Sequence, residues 1–301
     1  MPENSAEARN VFYRKLAPFI LFTAVLLWGY SYIVTKNILG VTSPLVLTSV
    51  AYIYSGIAGI PVLLSRRRYL GQKGIWKQSI VLGLLLYIAR LVQVFGCELT
   101  TAGKNAFITS AYVVIVPILG WALLRQKLQA KNIILALLTL TGIGIIALND
   151  HFTGFNSGDL LTFAASVGFG IHIIYNGKYV EKNDPLLLGV LQLEVAAVIS
   201  LILMLLLRPQ MPADFYTLNL QIPFLYSGAL STMLGFLLQS FGQKYLEPNR
   251  TALIISLESV SGAVFSAALL GEKYGVRLLI GCAIVLAANI LSNIRRQENQ
   301  I

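Results

Sequence analysis

Glu258 stands within ALIISLESVSGAVFSAALLGEKY, residues 252–274, a run otherwise apolar or small and long enough to cross a bilayer. A carboxylate near the middle of such a helix costs about 2.5–3.5 kcal/mol on insertion scales, so it must meet water, a cation or a proton there. Arg90, His172 and Glu194 also fall inside apolar runs. Arginine presents a planar fork that binds a carboxylate through two hydrogen bonds and stays charged when buried. Histidine, with an unperturbed pKa of about 6.5, exchanges protons at cellular pH. Together these groups suit a small zwitterion: Arg90 for its carboxylate, Glu258 for its amino group, and His172, Glu194 and Glu258 as candidates for proton coupling. Only two histidines exist; His151 lies in a loop, and His172 has no HxxxH or HExxH partner. With no Gly-rich phosphate loop, metal cluster or nucleophile–base pair, the residues call for no metal and no cofactor, and an intramembrane enzyme is a remote reading.

Residues three and four apart share a helix face. Trp28, Tyr32 and Lys36 make one stripe, Tyr87, Arg90, Gln93 and Cys97 a second, and Asn105, Thr109 and Tyr112 a third. His172, Tyr175 and Asn176 follow, then Ser231, Gly235 and Gln239, and finally Glu258, Ser261 and Gly262. The candidate substrate-binding residues drawn from them are Trp28, Tyr32, Tyr87, Arg90, Gln93, Thr109, Tyr112, His172, Tyr175, Gln239 and Glu258. Small and polar residues also pack spans together, which is the competing role for the Ser, Thr and Gly positions. For Arg90 the competing role is a permanent bridge to Glu194 or Glu258. Gln192 and Glu194, in mid-span, are the exception to a division between polar-striped and lipid-facing helices.

The elements that must hold these stripes follow from composition. Of 301 residues, 56% are hydrophobic and 12% charged, against about 25% charged in soluble domains. Lipid must therefore cover most of the outside. The net charge of +10 is spread over connections rather than gathered with aromatics, which reads as topology signals and anionic lipid contact, not nucleic acid. Cys97 and Cys282 both fall in hydrophobic runs and read as packing thiols. Ten apolar stretches emerge: 16–36, 44–64, 76–97, 104–124, 131–149, 158–178, 185–207, 220–242, 250–270 and 276–294. Each is near the ~20 residues a helix needs to cross the hydrocarbon. The first follows Arg14 and Lys15 and is too long for a signal-peptide core, so it reads as a retained span. Seventeen of the 23 lysines and arginines fall on the side of the termini, five on the other side, and Arg90 alone within a span. The positive-inside rule then puts both termini in the cytoplasm.

Residues 105–127, NAFITSAYVVIVPILGWALLRQK, can be laid on 251–273, TALIISLESVSGAVFSAALLGEK, without a gap. Ser110 falls on Ser256, Val114 on Val260 and Ala122-Leu123-Leu124 on Ala268-Leu269-Leu270. These are the fourth and ninth stretches, five apart. Because five is odd, a five-helix unit repeated once enters the membrane upside down the second time. Such inverted pairs build carriers that rock about a midplane site.

Two five-helix repeats, with TTAGKNAFITSAYVVIVPILG at 100–120 and SLESV followed by LLGEK within 256–273, resemble the EamA branch of the drug/metabolite transporter superfamily over roughly 14–296. The resemblance implies an all-α membrane protein of ten transmembrane helices, two inverted five-helix repeats around a central cavity. The repeats would be 14–149 and 155–296, with cytoplasmic tails 1–13 and 297–301. Helices 1, 3, 4, 6, 8 and 9 would line the cavity. It further implies a multi-pass protein of the bacterial inner (plasma) membrane that exports amino acids or other small metabolites. The residues themselves fit a monomer or a homodimer, since GIAG at 56–59 and GIG at 142–144 can pack within one chain or between two, and protons are candidate co-substrates. Ser259 stands where relatives often have Pro, and Arg125-Gln126 where many have Gly-Glu; Gly271-Glu272 keeps that pair in the second repeat. Neither the first nor the sixth span carries an acid, so the proton-coupling Glu in the first helix of the small four-helix members has no counterpart. A nucleotide-sugar or lipid-linked metabolite carrier is the alternative, though phosphates would call for two or more cavity cations.

Overall fold

The computed structural model describes residues 2–147, 154, 156–270 and 275–294; His151, Gly271, Glu272, Lys273, Arg295 and Arg296 lie outside the described residues. Within them the chain is helical, without strands. The helices are α1 (Pro2–Leu39), α2 (Pro44–Arg66), α3 (Ile75–Leu99), α4 (Ala102–Thr109), α5 (Tyr112–Leu124), α6 (Ala130–Ala147), α7 (Ser157–Val180) and α8 (Pro185–Leu207). After them come α9 (Leu218–Leu225), a π-helical stretch (Tyr226–Leu234), α10 (Gly235–Gln243), α11 (Pro248–Ile255), α12 (Leu257–Leu270) and α13 (Gly275–Ile294). Joined across short breaks, they give nine segments long and apolar enough to cross a membrane, and a tenth, shorter apolar helix at Val276–Ser292. Exposed Phe19, Leu206 and Leu279 face outward, while Gln93, Asn105, Gln192 and Gln239 are buried. That polarity suits a lipid solvent, because every polar group must find its partner inside the protein.

Local chemistry sets the ends of these helices. Ser43 and Asp184 accept from the backbone N–H of Val46 and Leu187, and Pro44 and Pro185 occupy the first turns of α2 and α8. Side-chain acceptors satisfy N–H groups that the helix leaves unpaired, and proline has none to lose there. The second and seventh spans thus open with the same Ser/Asp-Pro device. Arg125 closes α5 in the left-handed region at φ 54°. That conformation favours glycine, so Arg125 ends the helix at a position where a Cβ is disfavoured. Residues 2–13 continue α1, whose 38 residues extend beyond the ~30 Å hydrocarbon core at 1.5 Å per residue.

Helix neighbours obey the repeat. The second span packs on the seventh and the fifth on the tenth, each pair mapping onto itself when five is added. The third packs on the sixth and the eighth on the first; the third also packs on the seventh, and the eighth on the second. The first meets the ninth as the sixth meets the fourth. Both diagnostic spans are broken, contrary to the continuous stretches 104–124 and 250–270. The break between α4 and α5 begins at Ser110, and that between α11 and α12 is Ser256, its repeat mate. At the first, Ala111, Val113 and Val114 bond to carbonyls three residues back, and at the second Ser259 does so. These steps tighten the helix into three-residue turns. Ser256 Oγ also donates to the Leu253 carbonyl at 2.7 Å, a bond that bends helices.

The α1–α12 crossing depends on Gly29. A Cβ there would overlap Ser261 Oγ and come within 2.8 Å of the Gly262 nitrogen. Ser261 in turn donates to the Val25 carbonyl at 3.1 Å and the Glu258 carbonyl at 3.0 Å. Gly29→Ala is expected to destabilise the protein by about 1–3 kcal/mol, the usual range for overpacking. A lower melting temperature in detergent would register it, with partial recovery in Gly29→Ala/Ser261→Gly. An unchanged melting temperature would show that the helices part without strain. The glycines of GIAG (Gly56, Gly59) and GIG (Gly142, Gly144) are likewise occupied within the chain, against Glu194, Val190 and Ala197, against Gly281, and against Phe107.

Candidate functional site

Seven spans converge on one central cavity of about 60 Å³, room for about four to six waters at 10–15 Å³ each. From the first span come Trp28, Ser31 and Tyr32, from the third Arg90 and Gln93, and from the fourth Thr109 and Tyr112. The sixth contributes Phe169, His172 and Ile173, the eighth Ser231, Thr232, Phe236 and Gln239, and the ninth Ile255 and Glu258. Tyr52 of the second span completes the lining. Of the candidate residues, nine meet here: Trp28, Tyr32, Arg90, Gln93, Thr109, Tyr112, His172, Gln239 and Glu258. Tyr87 lies behind the wall, its hydroxyl 3.4 Å from Ser49 Oγ and its ring against Tyr52. Tyr175 packs on Tyr179, with a ring separation of 5.7 Å, away from the lining. Glu194 is elsewhere, between α2 and α8.

Glu258 occupies the first turn of α12, just past the Ser256 break. A helix N-terminus favours negative charge, so the break itself helps hold the carboxyl. Tyr32 and Tyr112 donate to Oε1 at 3.3 and 3.0 Å. Oε2 takes no hydrogen bond from the described residues, and Glu258 lines the cavity. One oxygen is thus tethered while the other is presented. Ser259 is 2.6 Å from Ser110 and donates to the Ala106 carbonyl, joining the two broken spans.

Arg90 is held as deliberately. Its two terminal nitrogens donate to Gln93 Oε1 at 2.7 Å and Thr35 Oγ1 at 3.1 Å. Gln93 Nε2 passes the network to Thr109 at 3.0 Å. No ion pair joins Arg90 to Glu194 or Glu258 among the described residues; the bridge reading is not what the structure adopts. His172 Nε2 lies 2.7 Å from Gln192 Oε1, and Gln192 donates to Ser240 at 3.2 Å. This explains the anomalous glutamine of the seventh span: it orients the histidine from behind. Trp28 is also committed, donating to the Ser231 carbonyl at 2.9 Å. That carbonyl belongs to the π-helical stretch, whose wider turn brings Ser231 and Thr232 to the cavity; such turns recur at functional sites.

Several lining residues were not singled out by their own chemistry, but the repeat points to two of them. The offset that lays 105 on 251 also carries Arg90 to Phe236, Gln93 to Gln239, Thr109 to Ile255 and Tyr112 to Glu258. All eight residues line the cavity. The framework is symmetric and the charge is not: Arg90 faces no mate of like kind, and neither does Glu258. The sixth span does carry an acid, against the expectation of none. Asp159 sits in the first turn of α7 and pairs with Lys104 at 2.6 Å.

A family profile described as the EamA-like transporter family matches this chain twice, over residues 15–148 and 156–294. A relative described as an uncharacterized transporter, from Archaeoglobus fulgidus, is 27% identical over 290 residues, covering 94% of this chain and 87% of its own length. The uncharacterized transporter YvbV of Bacillus subtilis is 24% identical over 292 residues, 93% of this chain and 92% of its own. One solved crystal structure is similar with a TM-score of 0.77 at 17% identity, covering 94% of this chain and 99% of that one; at that identity the likeness is one of fold.

Proposed function

The chain belongs to the EamA-like transporter family and is a multi-pass integral membrane transporter rather than an enzyme, and from that premise we propose that it exports a small zwitterion, an amino acid or a close relative, by alternating access. The observation that carries this reading is the polarised cavity. Arg90 is its one permanently cationic lining residue among those described, and Glu258 its one acid. A zwitterion neutralises both, whereas a nucleotide sugar or lipid-linked phosphate would leave its second negative charge without a cation. Glu258 Oε2 would receive the amino group and the remaining Arg90 donors the carboxylate, with His172 or Glu258 exchanging a proton. Units 14–149 and 155–296 would rock about this site with both termini in the cytoplasm, the side that carries most of the lysines and arginines.

The decisive comparison is Arg90→Gln in proteoliposomes. Gln is shorter, keeps an N–H donor and loses the charge, so flux of the zwitterion is expected to fall about tenfold or more with normal expression and melting. Correct folding with undiminished flux would remove Arg90 from substrate binding, and retained flux of a phosphate-bearing solute would favour the alternative carrier.

A further inference from the structure

Glu194 is a membrane-embedded acid that the cavity does not use. It is in the tenth position of α8 (Pro185–Leu207), about 13 Å into the bilayer at 1.5 Å per residue. Its carboxyl lies over the face of α2 where Gly56 and Gly59 leave room. A Cβ at Gly56 would come within 3.1 Å of Oε2, and one at Gly59 within 3.1 Å of Oε1. Oε1 is fully buried and has no hydrogen-bond partner among the described residues. Ile57 and Ile60 on α2 and Val198 and Leu201 on α8, close by in sequence, are exposed, so lipid borders this contact.

No described charge compensates the carboxyl. The ionisable groups along the middles of the helices packed here are engaged elsewhere: Tyr52 donates to the Leu86 carbonyl, Tyr54 to Gln221, Tyr87 meets Ser49, Arg90 holds Gln93 and Thr35, and His172 meets Gln192. An anion in this position would be unpaired in hydrocarbon, a state that proteins avoid by taking up a proton. The neutral acid fits the glycine-floored space.

We propose that Glu194 is a second proton-binding site, separate from the central cavity and bordered by lipid, which carries its proton when α2 and α8 are packed as seen here. The linkage is reciprocal. If close packing of α2 on α8 favours the proton, the proton favours close packing, because an anion there needs water or a cation to enter the contact. The site thereby couples protonation to the second and seventh spans, one of the two helix pairs that the repeat maps onto itself. It is independent of the substrate reading and stands or falls apart from it.

Two measurements test it. Infrared difference spectra of the protein in lipid should contain the C=O stretch of a neutral carboxylic acid at neutral pH; that band should disappear in Glu194→Gln and persist in Glu258→Gln. In unaltered protein, mass spectrometry should find Glu194 modified at least tenfold more by a hydrophobic carbodiimide than by a water-soluble one. The second measurement needs no variant and so survives a folding defect. An unchanged infrared band in a folded Glu194→Gln protein, or modification only by the water-soluble reagent, would overturn the proposal.

Discussion

Glu258→Gln is expected to abolish useful transport while leaving the fold in place. Gln keeps the shape and can still accept from Tyr32 and Tyr112 at the position of Oε1, so the α12 first turn should form. What disappears is the charge at Oε2. Removing one partner of a buried, hydrogen-bonded charge contact typically costs 2 kcal/mol or more, which weakens substrate binding by about 30-fold at the least. A thermal-shift titration with candidate zwitterions, run beside proteoliposome flux, separates the two consequences. The melting temperature without ligand should move little and the ligand-induced shift should vanish. Tyr112→Phe removes one tether from Oε1 but leaves the charge, so its loss should be smaller, about tenfold. Should Glu258→Gln bind and move solute as the unaltered protein does, the cation site is not at Glu258.

Asp159→Ala is expected to produce the largest loss of stability of any single change considered. Asp159 and Lys104 pair at 2.6 Å with side-chain exposures of 3% and 9%. Asp159 also accepts from Thr100 Oγ1 at 2.7 Å and from the Asn156 backbone at 2.9 Å, closing a capping box at the start of α7. Lys104 donates in addition to the Gly154 carbonyl at 2.8 Å. Close by, Lys36 donates to the carbonyls of Cys97 and Thr100 at the end of α3. The first, third, fourth and sixth spans are thus tied together at one face. Breaking a buried pair by deleting one partner costs about 3–5 kcal/mol, because the other charge is left uncompensated. Melting in detergent should fall sharply for Asp159→Ala. Asp159→Ala/Lys104→Met, which removes both charges, should recover much of the loss. Equal melting of the single and double variants would mean the pair is not what holds this face together.

How the fold and site were legible differs residue by residue. The ten apolar segments, and hence an all-helical membrane protein, follow from composition and from the length of each run, because a bilayer demands about 20 apolar residues and a helix to satisfy the backbone. The inverted repeat follows from one gapless alignment and an odd helix count. Arg90, His172 and Glu258 stood out because an ionisable group in hydrocarbon is costly enough to need a reason. Partners were not legible in the same way. Gln192 behind His172 and Tyr32 and Tyr112 on Glu258 come from other spans, and helical spacing relates only residues on one helix. Tyr87 and Tyr175 shared a stripe with cavity residues yet rotate behind the wall, since a stripe defines a face and not its neighbour. Asp159 was passed over because it sits at a span's edge, where an acid costs little, and only its proximity to Lys104 makes it a structural pair.

Amino-acid order alone therefore determined the number of membrane crossings, their pairing into two repeats and the few charges that the membrane must excuse, because these depend on local transfer free energy. Tertiary structure alone decided which charge meets which: that Glu258 keeps one oxygen for the cavity, that Arg90 pairs with neutral Gln93 and Thr35 rather than with an acid, and that Glu194 lies apart against two glycines. Those outcomes depend on how helices distant in sequence rotate and cross, and close packing fixes them at contacts such as Gly29 on Ser261 and Gly262.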